Sequence, residues 1–154
     1  MNGKTHRAVG AVSGFAVTLA RSDGQEKWKR LAEGVGGALG GYLGACAPDV
    51  LEPAVHSWHR NGCHSVSAGA AVVVGARKAV GAWEAKCREM AARCETKRHA
   101  AGVNDLQRLL YLIAEVALRI AAGLLSGAAT GYVSHLVLDA VTPRGIPLIC
   151  RQLV

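Results

Sequence analysis

The sequence predicts an all-α fold, a compact bundle of four to six helices with Gly/Ala-rich close helix packing. Three observations predict it. Nothing alternates with period two over a useful length, and β-branched runs are limited to Val72-Val73-Val74. Hydrophobic residues make up 51% of the chain but aromatics only 5%, so the core is built from Ala, Val, Leu and Gly. Small side chains let helix backbones approach closely, as in membrane helices and tight soluble bundles. Glycines recur at four-residue spacing in Gly36-Gly40-Gly44 and again in Gly123-Gly127-Gly131. Glycine weakens a helix interior by about 1 kcal/mol relative to Ala. Two such stripes therefore point to close helix crossings; the plainer alternative is loose, Gly-rich helices.

With 154 residues the chain fits one domain, residues 1–154, large enough for a core. Four segments are expected. The first, His6 to Ala20, is apolar, with Thr5 as its N-cap. A charged connector, RSDGQEKWKR, leads to the second, Leu31 to Ala47, which carries the first glycine stripe. The stretch PDVLEPAVHSWHRNGCHS reads as a loop, bracketed by Pro48 and Pro53, with Asn61-Gly62 as a turn signal. The third segment, His64 to His99, is one long helix or two helices broken near Gly75 or Gly81, ended by Ala101-Gly102. The fourth, Leu106 to Val141, is capped by Asn104 or Asp105 and stopped by Pro143.

The net charge of +7 is not one basic block. Lys86, Arg88, Arg93, Lys97, Arg98 and Arg108 interleave with Glu84, Glu89, Glu95 and Asp105, which favours a solvated helix face over a nucleic-acid patch. Attraction to anionic lipid or phosphate is the second reading. No secretory signal fits the N-terminus. Cys46, Cys63, Cys87, Cys94 and Cys150 are odd in number and include no CxxC, as expected of reduced thiols in a cytosol-facing protein. A spanning helix needs about 20 apolar residues. The longest uncharged run, Ile120 to Leu138, has 19 and includes His135. A bundle that enters a membrane and a soluble one both suit this. Glu115 and Arg119, four apart, read as a helix-face ion pair.

Charged groups in apolar sequence are costly unless compensated. Between Gly34 and Ala76 the only formally charged residues are Asp49, Glu52 and Arg60, and they share one stretch with His56, His59 and His64. A second cluster, SHLVLDAVTPRGIPL, puts His135 and Asp139 on one helix face. Imidazole and carboxylate are ordinary ligands for zinc, manganese or iron, and the pool of His6, Asp49, Glu52, His56, His59, His64, His135 and Asp139 is enough for two ions. Each piece has a plainer use: His135 and Asp139 as a hydrogen-bonded pair, Asp49 as a helix cap, His6 as a surface histidine. Their coincidence in otherwise uncharged segments carries the metal reading.

The order THRAVG, a Gly-rich helix, PDVLEP, HRNGCHS and HLVLDAVTPRGIPL resembles the bacterial inner-membrane-associated metal-dependent hydrolase family, itself similar to zinc-dependent C-type phospholipases and single-strand-specific zinc nucleases. The resemblance covers both ends and the middle of the chain, while the region from about Ala76 to Asp105 carries no motif. It implies an all-helical metal site with His6, Asp49, His59, His64, His135 and Asp139 as ligands, and Glu52, Arg60 and Ser65 close by. His56 stands where no fixed ligand is expected.

From these residues follows an expected chemistry. Two divalent ions, zinc first and manganese second, activate water and clamp a phosphoryl group. Arg60 pairs with a phosphate oxygen or salt-bridges Asp49 or Glu52, and Glu52 is a ligand or the base that orients water. Asp49, Glu52 and Arg60 are thus the expected catalytic residues, acting on a phosphate-containing substrate, lipid or nucleic acid. Expected partners are a membrane surface and a second copy of the chain bound through the Gly-rich faces, at the cytoplasmic face of the inner membrane or in the cytoplasm. The rival expectation is a non-catalytic membrane-associated or partner-binding bundle with a structural metal. The sharpest geometric expectation is that the His64 and Asp139 side chains lie within about 10 Å of each other, given metal–ligand bonds near 2 Å.

Overall fold

The computed structural model describes residues 3–52, 63–142 and Ile146. It consists of α1 (Gly3–Arg21), α2 (Lys27–Leu51), α3 (Val66–Arg98) and α4 (Asp105–Ala140), with no strand among the described residues. Side-chain caps begin α3 and α4, and glycine turns separate α1 from α2 and α3 from α4. Gly24, at φ +84°, turns the chain between α1 and α2, and Gly102, at φ +82°, turns it between α3 and α4. Both need the left-handed region that glycine enters freely. Asn104 caps α4 through a reciprocal pair with Gln107: the Asn104 side chain accepts from the Gln107 backbone N–H, and the Gln107 side chain accepts from that of Asn104. Ser65 caps α3 by accepting from Ala68 N–H at 3.1 Å.

Three boundaries differ from expectation. α1 already runs from Gly3, so Thr5 lies inside its first turn and is not the cap. α3 is one unbroken helix through Gly75 and Gly81, where no neighbouring atom would crowd an added side chain. α2 continues through Pro48 and Asp49 to Leu51 instead of ending before the proline. A proline inside a helix loses one intrahelical bond, but here only a single turn follows it, and Glu52 N–H closes that turn on the Pro48 carbonyl at 2.8 Å. Asp49 is therefore a last-turn residue of α2, not the cap of a new helix.

The helices run alternately up and down. The start of α1, the end of α2, the start of α3 and the end of α4 meet at one end, where His6, Asp49, His64 and Asp139 gather. The two glycine stripes form one seam. A methyl group built on Gly36, Gly40 or Gly44 would strike the α4 backbone at Ile120, Leu124 or Ala128, and one on Gly123, Gly127 or Gly131 would strike α2 at Glu33, Gly37 or Gly41. A second seam, Gly10 and Gly14 against Gly37 and Gly41, joins α1 to α2. The stripes are buried inside one chain. The expected contact with a second copy through them has no face left to use.

α3 sits differently. It packs on α4 but not, at backbone level, on α1 or α2. Long ion pairs cross the gap. Arg21 reaches Glu84 with two bonds of 2.8 Å, Arg88 reaches Glu33 at 2.6 Å and Lys29 reaches Glu95 at 2.9 Å. The Glu95 hydrogen bond holds the Lys29 ammonium above the ordinary lysine range. Of the ten interleaved charges, Glu84, Arg88, Glu95 and Arg98 thus turn to partners on other helices, while Lys86, Glu89, Arg93, Lys97, Asp105 and Arg108 are exposed as expected. Glu115 and Arg119 do not pair with each other as expected. Glu115 meets Arg98 at 3.3 Å and Arg119 meets Gln25 and Glu33, because their common face looks across to α3 and α2.

Outside these seams the middle of the bundle carries no charge. Residues 8–20, 34–48, 66–76 and 120–138 contain no Asp, Glu, Lys or Arg and lie side by side. Fifteen residues of α2 make a band about 22 Å thick at 1.5 Å per residue. Val12, Leu39, Leu43, Val74 and Val137 are each at least half exposed on it. α4 is long and apolar enough to cross a membrane, and 28% of its most apolar window is buried within the bundle.

Candidate metal centre

Each helix contributes to one cluster because the up-and-down order brings four chain ends together. His6 comes from the first turns of α1, Asp49 from the last turn of α2, His64 from the residue before the α3 cap, and His135 and Asp139 from successive turns near the end of α4. His6, His64, His135 and Asp139 are all at least 95% buried, while the Asp49 side chain is half exposed and opens the cluster to solvent. The His6 and His135 rings stack with centroids 4.3 Å apart, and His64 meets His135 edge-on at 5.2 Å.

Two imidazoles are fixed from behind. His135 Nδ1 lies 2.6 Å from the Ala45 carbonyl oxygen. A carbonyl only accepts, so Nδ1 carries the proton and Nε2 turns a lone pair inward. His64 Nδ1 faces Glu52 Oε2 at 3.1 Å, and the His64 backbone N–H meets the same oxygen at 3.3 Å. Tyr132 donates its hydroxyl to the Cys63 carbonyl and pins this turn to α4. Glu52, expected as a ligand or base, is thus turned to the outer nitrogen of His64 by its place at the α2 C-terminus. Ser65 caps α3.

The inward atoms lie close together. His64 Nε2 lies 3.4 Å from Asp49 Oδ1 and 3.8 Å from Asp139 Oδ2. His135 Nε2 lies 3.6 Å and 3.4 Å from the same two oxygens. His6 Nε2 lies 3.3 Å from the other Asp139 oxygen, Oδ1. The buried His135 Nε2 makes no hydrogen bond among the described residues. Protein N–H···O bonds run about 2.7–3.2 Å. Ligand atoms at the corners of a tetrahedron with bonds of about 2.0–2.2 Å stand about 3.3–3.6 Å apart. The spacing fits shared coordination better than hydrogen bonding. Two three-residue groups share His135: Asp49, His64 and His135, and His6, His135 and Asp139, each with its ligand atoms within 4.8 Å of one another.

His64 and Asp139 therefore lie far inside the expected 10 Å. Five of the six expected ligands converge: His6, Asp49, His64, His135 and Asp139. His59, Arg60 and His56 lie outside the described residues. The Ala45 carbonyl and Tyr132 were missed. The first is a backbone group with no sequence signature, and the second is a lone tyrosine in an apolar run.

Comparison with known proteins bears on the origin of this arrangement. No curated protein and no solved structure matches the chain, and the comparisons give no support to the resemblance to zinc phospholipases and nucleases. A family model described as the YdjM inner membrane protein matches residues 1–150. With that match over nearly its whole length, and with an apolar helix long enough to cross a bilayer, the chain belongs to the YdjM inner membrane protein family.

Proposed function

We propose that the protein is a membrane-associated, metal-dependent hydrolase of phosphoesters. The observation that carries this reading is the spacing of the inward atoms around the buried His135 Nε2, unbonded among the described residues. Asp49, His64, His135 and Asp139 would hold one divalent ion, zinc first and manganese second. His6 and Asp139 Oδ1 would begin the site of a second. Such an ion supplies Lewis acidity and lowers the pKa of water toward neutrality. The chain's own contribution is positional. Ala45 and Glu52 orient two imidazoles, His6, His64, His135 and Asp139 are held away from solvent, and the half-exposed Asp49 marks the side from which a phosphate-containing substrate enters.

The rival reading is a structural metal in a non-catalytic membrane protein, and it gains if Asp49, His64, His135 and Asp139 all close on one ion. A closed tetrahedral site uses four protein ligands, whereas a catalytic one leaves a position for water. The incomplete His6–Asp139 pair favours hydrolysis, since it leaves such positions. The test measures metal content and cleavage of a generic phosphodiester by the zinc- or manganese-loaded protein, next to Asp49→Asn and His6→Ala. Hydrolysis is upheld if both variants stay folded and lose cleavage. If the loaded parent cleaves nothing and metal removal unfolds it, the structural reading stands.

A further inference from the structure

A cleft runs between α1 and α3. These two helices do not pack on each other, and α4 forms the floor between them. The cleft holds about 340 Å³, at the low end of the range for small-ligand pockets, about 300–1,000 Å³. Its walls are mostly apolar, Val17, Val73, Val80, Ala129 and Val133, with the Ser126 and Thr130 hydroxyl groups on the α4 side. It lies largely within the uncharged band, where Val12, Val17, Val73 and Val74 are exposed beside it. Arg21 and Arg77 line it where the band ends. The two arginines differ. Arg21 is neutralised by two hydrogen bonds to Glu84. Arg77 is exposed and makes no ion pair among the described residues.

We propose that this cleft holds one acyl chain of an anionic glycerophospholipid whose phosphate rests on Arg77. Volume admits one chain, the apolar walls suit a hydrocarbon, and the guanidinium fork at the band's edge suits a phosphate. An unpaired arginine is expected at the edge of a bilayer, where anionic headgroups supply its counter-charge. The occupant is a resident lipid, not the substrate of the metal centre. Thirteen positions of chain separate His64 from Arg77, about 20 Å along the helix, so a headgroup at Arg77 is out of reach of the cluster.

The experiment uses the full-length protein, purified in detergent and stripped of lipid. It is titrated with phosphatidylglycerol or phosphatidylcholine of identical acyl chains, and bound lipid is counted by native mass spectrometry. One phosphatidylglycerol per chain is expected, preferred over phosphatidylcholine by about fivefold, the worth of one arginine near a lipid headgroup. Arg77→Gln, at an exposed position, should erase the preference while one lipid still binds. Val73→Trp, also exposed, should fill the cleft and abolish retention of both lipids. Metal content should be the same in all three proteins, which separates failure here from failure of the hydrolase reading. The proposal is overturned if the parent retains the two lipids equally, if Arg77→Gln keeps the preference, if Val73→Trp retains lipid, or if the cleft is covered by a second copy, seen as a lipid-free dimer that Val73→Trp dissociates.

Discussion

The two ends of the bundle hold their buried carboxylates in opposite ways. At the α1 C-terminal end, Glu33, Glu84 and Glu95 meet Arg88, Arg21 and Lys29 at 2.6–2.9 Å, the distance of charge-assisted hydrogen bonds. At the other end, Asp139 faces three imidazoles at 3.3, 3.4 and 3.8 Å. At the first end these three carboxylates find their counter-charges within the chain. The second is arranged at the spacing of atoms that share a cation. Both hang from the same glycine seam, so the contrast comes from the partners and not from the packing.

The largest effect should come from the cluster end. His135→Ala removes the residue common to both groups and is expected to abolish stable zinc binding, measured as metal per chain after gel filtration. Glu52→Gln leaves every inward atom in place and should weaken binding by about 10- to 100-fold, the usual loss when the group behind a ligand is changed. Zinc retained at parental affinity by His135→Ala would break the comparison, since the cluster would then be an ordinary polar core. The corresponding change at the other end should leave metal content untouched and cost stability. Arg88→Met leaves the fully buried Glu33 with Arg119 alone, at 3.5 Å, so the loss should fall short of the cost of a completely broken buried pair, about 3–5 kcal/mol. The double variant Glu33→Met/Arg88→Met should recover much of it in chemical denaturation, because apolar replacement of a whole buried pair is often close to neutral.

The seam that carries both ends offers the next test. Gly127→Leu sets a side chain against the Gly37 backbone. Overpacking costs about 1–3 kcal/mol and occasionally more; the upper end is expected here, because a backbone carbonyl has no rotamer to yield. Gly75→Ala meets nothing and should instead stabilise by about 0.5–1 kcal/mol through helix propensity. Equal thermal shifts in the two variants would show the seam to be open. The smallest effect is a pH dependence. Lys29 is raised above its ordinary value of about 10.4 by Glu95, so its stabilisation is complete below that pH and fades as pH rises through the higher folded value. Lys29→Met should flatten stability measured between pH 9 and 11, and a parent curve no steeper than that of the variant would argue against a protonated, paired lysine.

Much was legible in the sequence because periodicity and punctuation are local. The four helices, the Asn104 cap and the turn at Gly102 follow from residues within one or two turns of each other. The glycine stripes showed that helices cross closely, since repeated glycine in a helix has few other uses. They did not show which helices cross. That is a long-range pairing, and it placed both stripes inside the chain rather than between copies. The fate of Pro48 was misread for a similar reason: its penalty was offset by the chain beyond it.

The sequence by itself determined which groups could act as ligands, because imidazoles and carboxylates stand out in uncharged segments whatever the fold. Only the tertiary structure decided that His6 joins Asp139, that Glu52 turns to the back of His64, and that Glu33 and Glu84 meet arginines. Those partners lie 12 to 133 positions apart along the chain. Their distances depend on how four helix ends are staggered, and the close approach of backbones at the glycine seam sets that stagger.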